Sequence, residues 1–375
     1  MKSEYFIQRT RINAPIETVF SWHSQEGAIQ RLTPPWAPLK MIYRKGRGVE
    51  KGVKVGFKIK IFNIPMFWHA EHTEYEKNKY FKDCQVSGPF ARWVHTHRFI
   101  QEPDGATTME DHIEFRLPFG LLGRLFLNHA RKDFARMFTY RHQILKHDLE
   151  NISGRTEKKR VLISGASGTI GASLVPFLQT CGHEVIQLVR HTQDLAENQV
   201  FWDPYKGILD LDAVGPVDAV INLNGVDISR GRWSKKQKTL IMDSRMIPTR
   251  FLAAMTREMK TRPDVFISAS AIGYYGDQAD HPLTEAAPKG DCFISHVCDE
   301  WEKASLDAID AGIRTVQLRI GVVLTPAGGA LERMMPAFRS GCGVQLSHGR
   351  QYMSWISMED TLSGILHIIN QPGIS

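Results

Sequence analysis

Cysteine is scarce in this chain of 375 residues, with five in all (Cys84, Cys181, Cys292, Cys298 and Cys342). Their number is odd and no two have C-x-x-C spacing, which argues against a disulfide framework or a zinc knuckle and fits a reducing compartment. No stretch approaches the roughly 18 apolar residues that span a bilayer. The N-terminus, Met1-Lys-Ser-Glu-Tyr-Phe-Ile, has no apolar signal core. The expectation is a cytoplasmic protein without a membrane span. Lys and Arg outnumber Asp and Glu by 47 to 40, a net charge of +7. The basic residues are dispersed, with no block that would mark a nucleic-acid partner.

What the chain does have is an ordinary globular composition, 42% hydrophobic and 23% charged, and enough length for two cores. Its texture changes near residue 155. Residues 151–159 are polar, carry Gly154 and show no apolar period, so they read as a linker between a domain at 1–150 and another at 160–375. After the linker, apolar runs at Val161–Ser164, Glu184–Val189, Ala219–Leu223, Val265–Ser270 and Thr315–Ile320 alternate with helical windows such as Lys235–Arg257 and Cys298–Ala311. Such alternation predicts a doubly wound parallel α/β sheet. Before the linker, alternating segments at Tyr5–Ile12, Lys54–Ile61, Trp68–Tyr75, Trp93–Phe99 and Thr107–Phe115 precede one long helical window, Leu121–Glu150. They predict an α+β domain of antiparallel strands and a C-terminal helix, with a cavity between them.

The most informative segment is Val161-Leu-Ile-Ser-Gly-Ala-Ser-Gly-Thr-Ile-Gly171. A strand runs into a turn with Gly165, Gly168 and Gly171, and a helix begins at once. Free N–H groups and the positive end of the helix dipole then face the turn, where a dinucleotide pyrophosphate usually sits. Gly165, Ser167, Gly168, Thr169, Ile170 and Gly171 are the expected cofactor contacts. Arg190 closes the second strand, 25 residues after Gly165. An acidic residue there would bond the ribose of NAD; a guanidinium suits the 2′-phosphate, which favours NADP over NAD. The plain alternative is a solvated loop arginine. Asn222 and Gly225, at the end of the next core strand, are further cofactor candidates.

These features carry a family resemblance. The spacing G-x-x-G-x-x-G, with Ser268-Ala-Ser-Ala-Ile-Gly-Tyr-Tyr-Gly276, resembles the extended short-chain dehydrogenases, whose fold is Rossmann-like. There a serine bonds the reacting carbonyl and a Tyr-x-x-x-Lys pair moves the proton. Ser270 matches the serine, but no tyrosine lies between Tyr275 and Tyr352, and the pair's expected positions hold Ile294 and Cys298. Gly231-Arg-Trp-Ser-Lys-Lys236, Cys298-Asp-Glu-Trp-Glu302 and Gln351-Tyr-Met-Ser-Trp-Ile-Ser-Met-Glu-Asp360 narrow the resemblance to the divergent epimerase family, nucleoside-diphosphate-sugar epimerase-like, which itself lacks the pair. Tyr274 or Tyr275, close behind Ser270, is left as proton carrier; the alternative is that one packs under the sheet and the other lines the pocket without titrating. Arg245, Arg319 and Trp355 become substrate-binding candidates, with buried ion pairs or core packing as the alternative for each. The family's C-terminal segment is expected beyond the chain's end, which implies a truncated domain.

The first 150 residues resemble the helix-grip superfamily of polyketide cyclase and START-like domains, through Arg31-Leu-Thr-Pro-Pro-Trp36, Gly88-Pro-Phe-Ala-Arg-Trp-Val-His-Thr-His97 and Glu110-Asp-His-Ile-Glu-Phe-Arg-Leu-Pro-Phe119. The resemblance implies an apolar-ligand cavity, lined from Trp22, Trp36, Phe57, Phe62, Phe67, Trp68 and Trp93, although an ordinary core would look the same. His95 and His97 share a strand face, but nothing in the sequence converges on them and no metal is assigned. Arg131, Lys132, Arg136, Arg141 and His142 read as a solvated helix face. The expectation is an NADP-dependent oxidoreductase or epimerase acting on a small carbonyl or sugar-nucleotide. The alternatives are a non-catalytic NADP-responsive binding module and a division-regulating interaction protein. Oligomeric state is open.

Overall fold

Strand alternation in the first 150 residues becomes one antiparallel sheet in the computed structural model, which describes residues 2–37, 39–61, 64–120, 122–152, 157–229, 231–345 and 348–374. The chain divides into two units, Met1–Thr156 with Gln179–Cys181, and Glu157–Leu178 with Gly182–Ser375.

The first unit runs β1 (Glu4–Ile12), α1 (Ile16–Ser24), α2 (Ala28–Arg31), β2 (Leu39–Lys45), β3 (Lys54–Ile61), β4 (Ile64–Glu76), β5 (Tyr80–Ser87), β6 (Arg92–Gln101), β7 (Thr107–Arg116) and α3 (Leu127–His147). The sheet order is β1-β7-β6-β5-β4-β3-β2. β1 alternates strictly between half-buried and exposed side chains, as a strand with one wet face must. β2 and β5 are additions to the expected strands. The long helical window is broken: a 3₁₀ turn at Leu122–Phe126 precedes α3 and a π turn at Asp148–Ile152 follows it. Leu121 lies outside the described residues, as do residues 153–156 of the linker. Phe134 and Phe138 of α3 pack on Trp93, Ile113 and Phe115 of the sheet, whereas Leu125 is 79% exposed and outside the core.

The second unit runs β8 (Arg160–Ser164), α4 (Gly171–Thr180), β9 (Glu184–Val189), β10 (Gln199–Asp203), β11 (Ile208–Leu209), α5 (Leu211–Val214), β12 (Ala219–Asn222), α6 (Lys235–Glu258), β13 (Val265–Ala271), α7 (Phe293–Lys303), α8 (Leu306–Asp310), β14 (Arg314–Ile320), β15 (Val322–Leu324), α9 (Gly329–Arg339), β16 (Trp355–Ser357) and α10 (Met358–Asn370). Its main sheet is ordered β11-β10-β9-β8-β12-β13-β14, parallel throughout except for β11. Counting only the parallel strands, this is the order 3-2-1-4-5-6 of a doubly wound sheet, with its reversal between β8 and β12. The central strands are near-continuous apolar runs because helices cover both faces; Val161, Leu162, Ile163, Val220, Ile221, Phe266 and Ile267 are fully buried. Ser234 caps α6 through its side chain, which accepts from Gln237 N. The window read as one helix at Cys298–Ala311 is two, α7 and α8, broken at Ala304 and Ser305. Among the described residues no helix is long and apolar enough to cross a membrane.

Candidate functional site

The glycine turn sits at the switch point, where β8 hands the chain to α4. Gly165 has φ +80°, and a Cβ there would stand 2.6 Å from the carbonyl oxygen of Leu223. A Cβ on Gly171 would overlap the Gly165 carbonyl and the Ala166 backbone. The turn is therefore pressed against both itself and the loop after β12, a packing that only glycine permits. Ser167, Gly168 and Thr169 are exposed at its tip, ahead of the free N–H groups that any helix start presents.

Beneath the turn a polar knot ties three strand ends together. Asn222 is fully buried; its amide donates to Thr249 Oγ1 (2.7 Å) and Ser268 Oγ (3.2 Å). Its Oδ1 accepts from Ser164 Oγ (3.0 Å) and Asn224 Nδ2 (2.6 Å). All four hydrogen-bonding positions of the side chain are satisfied inside the protein. Asn222 positions the loop rather than touching a ligand, a correction to the sequence reading. Gly225, at φ +153°, leaves room for Arg245, whose guanidinium a Cβ would meet at 3.0 Å. Arg245 donates to the carbonyls of Val226 and Ile241 at 3.1 Å each and lies 5.0 Å above the Trp301 ring. It clamps the β12–α6 loop to the helix, which is the packing alternative to substrate binding.

The remaining candidates converge on a residue the sequence reading used only as a landmark. Glu302, on α7, accepts from Ser270 Oγ at 2.6 Å and from Arg319 Nε and Nη2 at 2.8 Å each. Arg319, from β14, also donates to the phenol oxygen of Tyr275 at 3.0 Å and sits 3.6 Å above the Tyr274 ring. Ser270, Tyr274, Tyr275 and Arg319 thus form one assembly with Glu302 at its centre. The bidentate carboxylate raises the Arg319 guanidinium further above its ordinary range, so it stays charged. The Ser270 hydroxyl proton is committed to Glu302 and is not free to polarise a carbonyl, which corrects its expected role. Tyr275 is buried, while Tyr274 is half-buried and its hydroxyl has no hydrogen-bond partner among the described residues. Ile294 and Cys298 do lie beside this segment: a Cβ on Gly273 would overlap the Ile294 side chain and come 3.8 Å from Cys298 Sγ. Burial pushes the Cys298 thiol up to about 11, out of reach as a replacement acid at neutral pH. Trp355 is 62% exposed on β16, outside the main sheet, and joins none of these groups. Arg190 is exposed just past the end of β9.

Removing Glu302 has a calculable cost. Glu302→Leu leaves Arg319 and Ser270 without their acceptor, and breaking a mostly buried pair costs about 3 kcal/mol. Thermal unfolding of the variant is expected about 6–12 °C lower. Glu302→Leu with Arg319→Met is expected to recover part of the loss, because no lone charge remains; an unchanged melting temperature in the single variant contradicts the reading.

The first unit holds a cavity of about 150 Å³ whose walls are apolar (Leu32, Leu39, Val53, Val55, Phe57, Met137) over most of their area. A cavity of that order holds a single ring. Of the aromatics expected to line it, Phe57, Trp68 and Trp93 do; Phe67 is 58% exposed, and Phe62 lies outside the described residues. Polar groups also face the cavity: His23, Arg44, Trp68, His72, Asp83, His95, His97 and Arg141 all line it. Of these, His23 Nε2, Arg44 Nε, Trp68 Nε1, His72 Nδ1 and His97 Nδ1 are buried without a hydrogen-bond partner. Burial lowers the His23 pKa to about 3, so its ring is neutral.

The histidines gather because of strand register. β6 places His95 opposite Asp83 of β5, and His97 opposite Asp111 of β7, all on one face. Asp111 Oδ1 accepts from His95 Nε2 at 2.9 Å and lies 2.7 Å from His97 Nδ1; its Oδ2 bonds His142 Nε2 at 2.7 Å. His142 was read as part of a solvated helix face; it is 3% exposed and belongs to this buried cluster. Asp83 was invisible as a partner because β5 had not been recognised as a strand.

The two units match different families. Residues 161–374 match the NAD dependent epimerase/dehydratase family, and residues 12–139 match the family of polyketide cyclase / dehydrase and lipid transport proteins. An epimerase family protein of Mycobacterium bovis is 42% identical over 215 residues, which cover 57% of this chain and 70% of that one. The crystal structure of a nucleoside-diphosphate sugar epimerase from Corynebacterium glutamicum superposes with a TM-score of 0.84 at 32% identity, over 99% of this chain and 76% of that chain. A human epimerase family protein crystallised with NADPH gives a TM-score of 0.52 at 29% identity, over 57% of this chain and 71% of its own.

Proposed function

This chain belongs to the NAD dependent epimerase/dehydratase family through its second unit, and from that premise we propose that it is an NADP-dependent oxidoreductase or epimerase acting on a small carbonyl or sugar-nucleotide. Its first unit, of polyketide-cyclase type, is read as a helix-grip domain that binds an apolar ligand. The observation that carries the reading is the glycine turn at the switch point. Gly165 and Gly171 let the turn close against its own backbone and the loop after β12, with Ser167, Gly168 and Thr169 exposed at its tip, and a pyrophosphate fits such a turn at a helix start. Gly165, Ser167, Gly168, Thr169, Ile170 and Gly171 would hold it. The nicotinamide, when bound, supplies hydride transfer.

Preference for NADP rests on Arg190, exposed past β9 with no carboxylate in that position, and is supported by the NADPH in the human relative's structure. At the chemical end, Tyr274 presents the free hydroxyl, and the Ser270–Glu302–Arg319–Tyr275 chain holds it in place.

Calorimetric titration of the protein with NADPH and NADH tests the proposal. Saturable binding that prefers NADPH is expected; absence of binding by either dinucleotide removes the oxidoreductase reading. Arg190→Ala is expected to weaken NADPH about 10–100-fold, the worth of a charge-assisted phosphate contact, and to leave NADH where it was. Equal weakening of both dinucleotides would sink the assignment of Arg190 to the 2′-phosphate.

A further inference from the structure

Asp83, His95 and His97 face one another across one small gap. His95 Nδ1 lies 3.4 Å from Asp83 Oδ2, and His97 Nε2 lies 3.6 Å from the same oxygen. Both distances are beyond an ordinary hydrogen bond. On the opposite side His95 Nε2 hydrogen-bonds Asp111 Oδ1 at 2.9 Å, and His97 Nδ1 lies 2.7 Å from the same oxygen without hydrogen-bond geometry. In a neutral imidazole one nitrogen carries the proton and the other a lone pair. With the Nε2–H of His95 on Asp111, its Nδ1 lone pair and an Asp83 oxygen point into one gap, which His97 Nε2 also faces. Their mutual repulsion is relieved by a proton on a ring or by a cation standing between the three atoms.

We propose that Asp83, His95 and His97 bind a divalent transition-metal ion of the zinc class in the wall of the first unit's cavity. One donor atom from each residue lies within 4.8 Å of the other two. Tetrahedral bonds of about 2.0–2.2 Å separate donor atoms by about 3.3–3.6 Å, which is the spacing from Asp83 to each ring. Two nitrogens and one carboxylate oxygen form a donor set that such ions favour over magnesium or calcium. Asp111 supplies the outer support that metal-binding histidines require, fixing the His95 ring by a hydrogen bond and standing beside His97. It is in turn fixed by His142 Nε2 at 2.7 Å, and His142 Nδ1 by Thr10 Oγ1 at 2.7 Å.

All three ligands line the cavity, so the fourth coordination position opens to it. A site with three protein ligands and one open position binds an exchangeable oxygen, as catalytic zinc sites do, rather than closing as a structural one. The ligand class follows: a compact apolar molecule carrying a carbonyl or carboxylate oxygen for the metal. The unpartnered His23 Nε2 and His72 Nδ1 stand ready for its further polar atoms.

The test uses the full chain, stripped with chelator and titrated with Co²⁺ followed by Zn²⁺. One equivalent of cobalt is expected to give the intense visible bands of four-coordinate geometry, and zinc to displace it stoichiometrically. Asp111→Asn should weaken zinc binding about 10–100-fold, with Asp83→Ala and His95→Ala weakening it further. Circular dichroism shows whether each variant folds, and the wild-type titration decides the matter even if they do not. A second cluster, His296, Asp299 and Glu300, lies outside this cavity, so His296→Ala should leave the cobalt spectrum unchanged. Two results overturn the proposal: a folded wild-type chain that takes up no stoichiometric metal, or a cobalt spectrum lost in His296→Ala and kept in the cavity variants.

Discussion

Gly171→Val is expected to abolish dinucleotide binding. A Cβ at this position overlaps the Gly165 carbonyl and the Ala166 backbone, and neither is the end of a flexible side chain that can swing away. Either the turn opens or the start of α4 moves, and both displace the N–H groups that the turn presents. Overpacking against fixed backbone of this kind costs about 3 kcal/mol, which corresponds to a loss of roughly 100-fold in affinity. Gly168→Ala is the contrast. Its Cβ would stand 3.2 Å from the Gly165 carbonyl at an exposed position, so a modest adjustment accommodates it. Calorimetry on both variants separates the outcomes: undiminished NADPH binding by Gly171→Val would mean that the turn is not the cofactor site.

Tyr274→Phe is expected to lower turnover by about 10²–10⁴-fold, the usual contribution of a positioned general acid or base, while NADPH affinity stays close to wild type. The two neighbouring tyrosines make this a sharp comparison. Tyr275 is buried with its phenol oxygen held by Arg319 at 3.0 Å, so Tyr275→Phe is expected to cost about 1 kcal/mol of stability and little turnover. Tyr274 is half-buried, with the Arg319 guanidinium 3.6 Å above its ring and its hydroxyl without a hydrogen-bond partner among the described residues. Rates of NADPH oxidation against a panel of small carbonyls and sugar-nucleotides provide the measurement. A pattern in which Tyr275→Phe loses turnover and Tyr274→Phe keeps it reverses the assignment.

How much of this was legible beforehand depends on the range over which each signal acts. Val161–Ser164 and its companion strands were readable because burial on both faces leaves a continuous apolar run, a purely local mark. The glycine turn was readable for the same reason. β2 and β5 were not: Leu39–Lys45 is interrupted by basic residues, and Tyr80–Ser87 places Asp83 on the face that a simple pattern reserves for apolar side chains. That exception follows from the histidine cluster, to which Asp83 belongs. Glu302 lies 32 residues from Ser270 and 17 from Arg319, and its role exists only once β13, β14 and α7 are assembled. Arg245 shows the same limit from the other side, because its carbonyl partners appear only when the β12–α6 loop folds back. His142 and Arg141 were misread because a run of Arg, Lys and His along one helix looks solvated; the helix turns His142 inward to Asp111 and Arg141 toward the cavity.

The position of β1 has a consequence for synthesis on the ribosome. β2 to β7 form a meander in which each strand pairs with the next one made, so the sheet can grow as the chain emerges. β1 is the exception: Ile12 pairs with Thr107 and Glu4 with Phe115, so the first strand translated has no partner until the last strand of its sheet appears. Chain elongation proceeds at about 5–20 residues per second, which leaves β1 unpaired for several seconds. Its outward side chains, Arg9 and Arg11 among them, give the nascent strand a charged face during that wait. Such charge discourages premature edge-to-edge pairing with neighbouring nascent chains.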